Sequence, residues 1–278
     1  MDMGNARNSV ENHYGRGEIL DSILCALREM GKDINKLAPT DLAPVDEFHI
    51  RGREATVELA NRAALKPGLR VLDVGSGLGG SVRYLASEHQ VRATGIDLTK
   101  EYVDVACALA DLVGLRDSVA FHQSSALDMP FNDGYFDVVW TEHAQMNIAD
   151  KWGFYAEIAR VLVPGGRLVF HDIFQGNGGP LHFPVPWAEE HSISFLATPE
   201  AVLKILESLG FRILDWEDKS QQSLDWFVSV VEKLKLSGPM PLGLHLLMGN
   251  NAKAKFENNI RNLQEGRFVV FQAVAEKA

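Results

Sequence analysis

The chain has no run of about 18 apolar residues, so a membrane-crossing helix is not expected. Cysteine is scarce. Cys25 and Cys107 sit within helical patterns and at no metal-ligand spacing, which argues against a disulfide framework or a cysteine-based zinc site. Positive charge is also in deficit: 27 Lys and Arg stand against 37 Asp and Glu, a net charge of −10. Nucleic-acid surfaces rely on clustered basic residues, so a DNA or RNA partner is not expected. The opening MDMGNARNSVENHYG lacks an apolar signal core, and no internal repeat or low-complexity tract is visible. What remains is 278 residues with 46% hydrophobic content, enough for one large α/β domain or a domain plus a cap. A cytoplasmic protein is the expectation.

The chain is organised around Val71 to Gly80, VLDVGSGLGG. A short apolar strand breaks into glycines and resumes as an amphipathic helix with Val82, Leu85 and Ala86 on one face. Glycines let backbone approach a ligand, and a helix start offers free N–H groups. A second strand ends in Asp97, about 20 residues past the glycines, where a ribose-hydroxyl acceptor is placed in dinucleotide-type folds. Strands are predicted over 70–74, 92–97, 119–123, 136–141 and 166–171, with helices over 80–88, 101–113 and 152–161 between them. Strand alternating with helix implies a parallel sheet covered on both faces. Pro164-Gly165-Gly166 reads as a turn feeding the fifth strand. Later come a helix opened by Thr198 and Pro199, a sixth strand over 211–216, helices over 220–236 and 252–263, and a closing strand over 267–275. Ile19, Ile23, Leu24, Leu27 and Met30 mark a helix before the sheet. Gln175 to Ser194 is long, loop-like and rich in Gly, Pro, His and Trp, as binding lids are.

VLDVGSGLGG, FDVVW (Phe136 to Trp140) and VLVPGGRLVF (Val161 to Phe170) together resemble the class I S-adenosylmethionine (SAM) methyltransferases, over about residues 48–174. The nearest resemblance is to the sarcosine/dimethylglycine and phosphoethanolamine N-methyltransferases. It implies a Rossmann-like seven-stranded sheet, six strands parallel and one antiparallel, with helices on both faces. An N-terminal helical cap would occupy residues 1–45 and a methyltransferase domain 46–278, with a lid or acceptor-binding insertion at about 175–197. The cofactor would be SAM, with S-adenosylhomocysteine (SAH) as product. Asp73, Gly75, Ser76 and Gly77 would surround its methionine end, and Gly75 and Gly77 would leave no room there for side chains. Asp97 and Leu98 would meet the ribose, and Ser125, Ala126 and Leu127 the adenine. Phe48, His49, Ile50 and Gly52 match a segment that closes over SAM in those relatives, with His49 and Glu142 on the cofactor side.

Acceptor chemistry is expected after the fourth strand, at Glu142-His143-Ala144-Gln145-Met146-Asn147. The relatives carry Asp-Ala-x-x-His there. This chain has His143 in place of the Asp and Asn147 in place of the catalytic His. His143 is the candidate general base, since imidazole takes up a proton near neutral pH; a structural role competes with it. Gln145, Met146, Asn147, His171, His182, Phe183, Trp187, His191 and His245 are the candidate acceptor-binding residues. His182, His191 and His245 match no metal-ligand spacing, so no metal is expected. The resemblance implies methyl transfer to a small molecule, first to an amine nitrogen as in glycine-betaine-type N-methylation. The alternative is carbon or oxygen of a quinone or natural product. Rival readings are an NAD-dependent oxidoreductase and a protein that binds SAM without turnover. A monomer or homodimer is expected.

Overall fold

The structure, a computed structural model, describes residues 9, 10, 13–15 and 18–278. Most of the opening stretch scanned for a signal core, and part of the expected N-terminal cap, lie outside them. One seven-stranded sheet dominates, in the order β3-β2-β1-β4-β5-β7-β6. The strands are β1 (Arg70–Val74), β2 (Arg92–Asp97), β3 (Val119–Gln123), β4 (Phe136–Glu142), β5 (Leu162–Gln175), β6 (Phe211–Asp218) and β7 (Phe268–Lys277). Strand β7 pairs antiparallel with both β5 and β6, and the other pairings are parallel. Six strands therefore run one way and one the other.

The helices are α1 (Ile19–Glu29), α2 (Ala43–Asp46), α3 (Gly52–Arg62), α4 (Gly80–His89), α5 (Lys100–Leu112), α6 (Lys151–Val161), α7 (Pro199–Ser208), α8 (Ser220–Ser237), α9 (His245–Met248) and α10 (Ala252–Gln264). Among the described residues no helix is long and apolar enough to cross a membrane. Alternate strand residues feed opposite faces, as the pleat requires. Leu72, Val74, Val139, Leu168 and Phe170 pack with Phe154, Ile158, Val202 and Leu206 of α6 and α7. Val71, Val138, Trp140 and Val169 pack with Leu59, Val82 and Leu85 of α3 and α4. Thr198 caps α7, its hydroxyl accepting from the Ala201 N–H, with Pro199 in the first turn. Pro164 and Gly165 form a bulge inside β5 rather than a turn before it. Pairing with β4 jumps from Phe136↔Leu162 to Val138↔Arg167, and strand geometry persists through the gap.

The stretch read as a lid is tied at many points. Gly176 and Gly178 N–H groups donate to the Arg267 and Gly266 carbonyls. Asn147 donates through its amide to the Trp187 and Ile193 carbonyls. Helix α10 holds the rest through one polar row. Asn262 accepts from the His182 N–H and donates to its carbonyl. Asn258 donates to the Pro184 carbonyl, and Lys255 pairs with Glu189 at 2.6 Å. This row is invisible to helical periodicity because its partners lie 66 to 80 residues away in sequence.

The segment before α3 is anchored by a buried ion pair. Arg83 of α4 meets Asp46 at 2.5 Å, both side chains 1% exposed, and also donates to the Leu78 carbonyl. Burial pushes the Asp46 carboxyl up to about 6 against the pull of Arg83, so the pair is ionised at neutral pH. Arg83→Ala leaves buried Asp46 with only Arg53, at 4.0 Å, and should lower the unfolding free energy by about 3–5 kcal/mol in a denaturant titration. Adding Asp46→Leu should recover much of the loss; no recovery would mean that the charge itself is not what the single variant exposes.

Candidate active site

Beyond the carboxyl ends of β1, β2 and β4 lies a cavity of about 480 Å³. The glycine turn after β1 forms one side. Gly75 and Ser76 N–H groups both donate to the Ile96 carbonyl at 2.9 Å, and Gly77 N–H donates to Asp97 Oδ2 at 2.9 Å. Asp97 Oδ1 accepts from the Thr99 N–H. Burial raises the Asp97 carboxyl, and these N–H groups oppose the rise. The two glycines differ. A Cβ on Gly75 would sit 2.7 Å from the Ala144 Cβ, so this position is closed by the protein itself, not by a ligand as expected. At Gly77 the φ of +53° suits glycine, and a Cβ would meet nothing within 4 Å.

His49, Asp73, Gly75, Ser76, Gly77, Asp97, Leu98, Ser125, Ala126, Leu127 and Glu142 all line this cavity. The Ser125 hydroxyl accepts from the Leu127 N–H within its own loop. Glu142 is densely bound. Its carboxylate accepts from Ser81 at 2.6 Å, Trp140 Nε1 at 2.9 Å and Thr56 at 3.1 Å. His49 lies 3.5 Å from Glu142 and 3.0 Å from Glu47. Burial opposes charge on His49, but Glu142 and Glu47 outweigh it and raise the imidazole to about 9. Glu47 stays below the usual carboxylate range despite burial, through His49 and Arg53. Burial, then Glu142 and Glu47, hold Asp73 well above that range.

His143 also lines the cavity, in a left-handed backbone conformation with φ of +50°. Such a residue stores about 1–3 kcal/mol of strain, held by its surroundings. Its N–H donates to the His171 carbonyl, and its ring stacks on His171 with centroids 5.2 Å apart. Nε2 of His143 is buried and unpaired. Burial first, then His171 and His49, drive its pKa well below the ordinary 6.5. Beneath the loop, Asp172 accepts from the Ala144, Gln145 and Ile173 N–H groups, and burial pushes its carboxyl up to about 7.

Of the acceptor-side candidates, Met146, Asn147 and Trp187 line the cavity. Gln145, His171, His182, Phe183, His191 and His245 do not. Gln145 accepts from Tyr155. His171 is fully buried with Nε2 on the Ile50 carbonyl, and His182 pairs with Glu265. Phe183 packs in the cluster around Trp187, and His191 and His245 are exposed. Their places are taken by Tyr14, Phe195, Trp226, Phe227, Leu247, Phe256 and Asn259. Trp226, Phe227 and Phe256 stand on α8 and α10, where helical spacing gives no sign that a side chain faces a cavity. Tyr14 donates to Asn147 Oδ1 at 2.9 Å.

The His49 cluster has a pH signature. An imidazole raised from 6.5 to about 9 on folding contributes stability that is fully present below 6.5 and lost as pH rises through about 9. Unfolding free energy from urea melts should therefore fall across that window, and His49→Gln should flatten the fall. An unchanged slope in the variant would assign the dependence to another group.

Comparison with known proteins follows the same lines. Residues 72–170 match a family model described as a methyltransferase domain. A probable chloroplastic tocopherol O-methyltransferase of Oryza sativa subsp. japonica is 34% identical over 160 residues, covering 53% of this chain and 44% of that protein. The chain thus spans less than half the length of this relative. A sarcosine/dimethylglycine N-methyltransferase of Halorhodospira halochloris is 28% identical over 193 residues, 69% of this chain and 68% of its own. The structure of Haemonchus contortus phosphoethanolamine N-methyltransferase 2 in complex with S-adenosyl-L-methionine aligns with a TM-score of 0.75 at 19% identity, over 96% of this chain and 60% of that one. Motif, matched segment and sheet order agree: residues 72–170 carry a methyltransferase domain, on a sheet of the class I methyltransferase type.

Proposed function

We propose that this protein transfers a methyl group from SAM to an uncharged, largely apolar small molecule. The observation that carries the acceptor class is the lining of the cavity. Its acidic residues are Asp46, Asp73, Asp97, Glu142 and Asp150, its basic side chains are His49 and His143, and no Lys or Arg is among the described residues that line it. The one cation on the wall, the His49 imidazolium, is already held between Glu47 and Glu142, so a glycine-type carboxylate or a phosphobase would find no free cation among the described residues, at a large desolvation cost. The walls toward the acceptor are Met146, Ile173, Trp187, Phe195, Trp226, Phe227, Leu247 and Phe256. This favours oxygen or carbon of a quinone- or natural-product-like acceptor over the glycine-betaine-type amine that sequence resemblance put first.

The residues present fit the cofactor. Gly77 leaves open space where a side chain would stand, beside the Asp97 carboxylate. Asp97 would accept from ribose hydroxyls, Ser125 and Leu127 would flank the adenine, and the carboxylate of Glu142 would offset a sulfonium charge. SAM supplies an already activated methyl group, so positioning carries much of the rate. The protein's own chemical contribution is His143. With its pKa depressed, the ring is neutral at physiological pH and free to take a proton from the acceptor.

Binding and rate measurements test this reading. Asp97→Ala should weaken SAM binding by about 1.5–3 kcal/mol in calorimetry, the range for hydrogen bonds to charged groups. Gly77→Val should abolish binding in a chain still folded by circular dichroism, and wild-type affinity in both variants would sink the cofactor site. For catalysis, methyl transfer should be detected with 1-naphthol and not with sarcosine or phosphoethanolamine; the reverse preference would overturn the acceptor class. A base must be unprotonated, and a lowered pKa moves its loss to lower pH. The rate should hold from neutral pH down to 6.5 and fall only below that ordinary value. His143→Ala should lower the rate about 10²–10⁴-fold and leave SAM affinity alone. A variant with the wild-type rate and pH profile would remove His143 from the chemistry.

A further inference from the structure

Helix α10 carries a second feature besides the row that holds the loop. Asn251, Lys255, Asn258 and Asn262 each have a partner: Asn251 and Lys255 on Glu189, Asn258 on the Pro184 carbonyl, Asn262 on His182. Asn259 sits among them, 5% exposed, lines the cavity, and its Oδ1 is buried with no hydrogen-bond partner. An amide oxygen left unpaired in an apolar wall costs stability, and buried polar groups in folded proteins are otherwise paired. Phe227 and Phe256, with ring centroids 5.5 Å apart, line the same cavity. Neither ring offers a donor.

We propose that Asn259 is a specificity-determining residue that pairs with a second, neutral polar group of the acceptor. The acceptor is then two-ended: a nucleophilic group at His143, an apolar body against Trp187, Phe227 and Phe256, and a hydroxyl, carbonyl or amide that meets Asn259. This rests on the acceptor class proposed above and narrows it. An amide has both a donor and an acceptor edge, so it reads such a group without demanding charge. Helix α10 is pinned by its neighbouring Asn and Lys contacts, so the amide is held in place before the ligand arrives, which limits the entropy lost on binding.

The test compares 1-naphthol with 1,5-dihydroxynaphthalene, which adds a hydroxyl at the opposite end of the same apolar body. Calorimetric titrations use the full chain, wild type, Asn259→Leu and Asn259→Ala. Wild type should bind the diol about tenfold more tightly than the mono-ol, the yield of one net hydrogen bond. Both variants should bind the two probes within about twofold of each other. The ligand-free melting temperature of Asn259→Leu should equal or exceed that of wild type, because the variant removes an unpaired amide oxygen. A lower melting temperature in Asn259→Leu would show that the amide serves the fold and overturn the proposal. So would a preference retained in the variants, or a wild type that prefers the mono-ol or binds neither probe. SAM affinity, measured on the same wild-type protein, reports separately on the methyltransferase reading.

Discussion

The carboxylate of Glu142 is where the parts of this molecule meet. It ends β4 and collects donors from α4 through Ser81, from α3 through Thr56, from the strand itself through Trp140, and lies beside His49 of the segment before α3. A buried charge is tolerable only when several donors share it. Here the same donors fix three elements at one point. The glycine turn, the segment over the cofactor side and the His143 loop all take their positions from that point. Without it the cavity has walls but no fixed corner.

Much of the sheet was legible from sequence because its signals are local. Alternation, a glycine break and an acid at the next strand end are read within a few residues, and β1, β2 and β3 start and stop where those signals place them. The bulge at Pro164 and Gly165 was not legible. A Pro-Gly pair reads as a turn, and only the pairing with β4 shows the strand passing through it. The cofactor-side candidates gather on one cavity because they follow strand ends, which the sheet order brings together.

The acceptor side was hidden for a physical reason. Histidine in a loop suggests chemistry, yet His171, His182 and His245 are placed by packing, pairing or exposure. Trp226, Phe227 and Phe256 look like core residues because helical periodicity cannot tell a wall facing a cavity from one facing a neighbour. The contacts that fasten 176–193 come from residues far along the chain, so that stretch carries no local mark of being tied down.

Helix α10 serves two masters, and this bears on how such a chamber diverges. Its polar row carries the wall at 182–189, while Phe256 and Asn259 face the cavity from the same turns. Any reshaping of α10 for a new substrate also disturbs that attachment. Helix α9, by contrast, is four residues long and bounded by Gly243 and Gly249, yet contributes Leu247 and Met248 to the same cavity. Drift toward new acceptors therefore has an inexpensive route through α9 and a constrained one through α10. Descendants of this chain should differ most in the short helix and keep the long one.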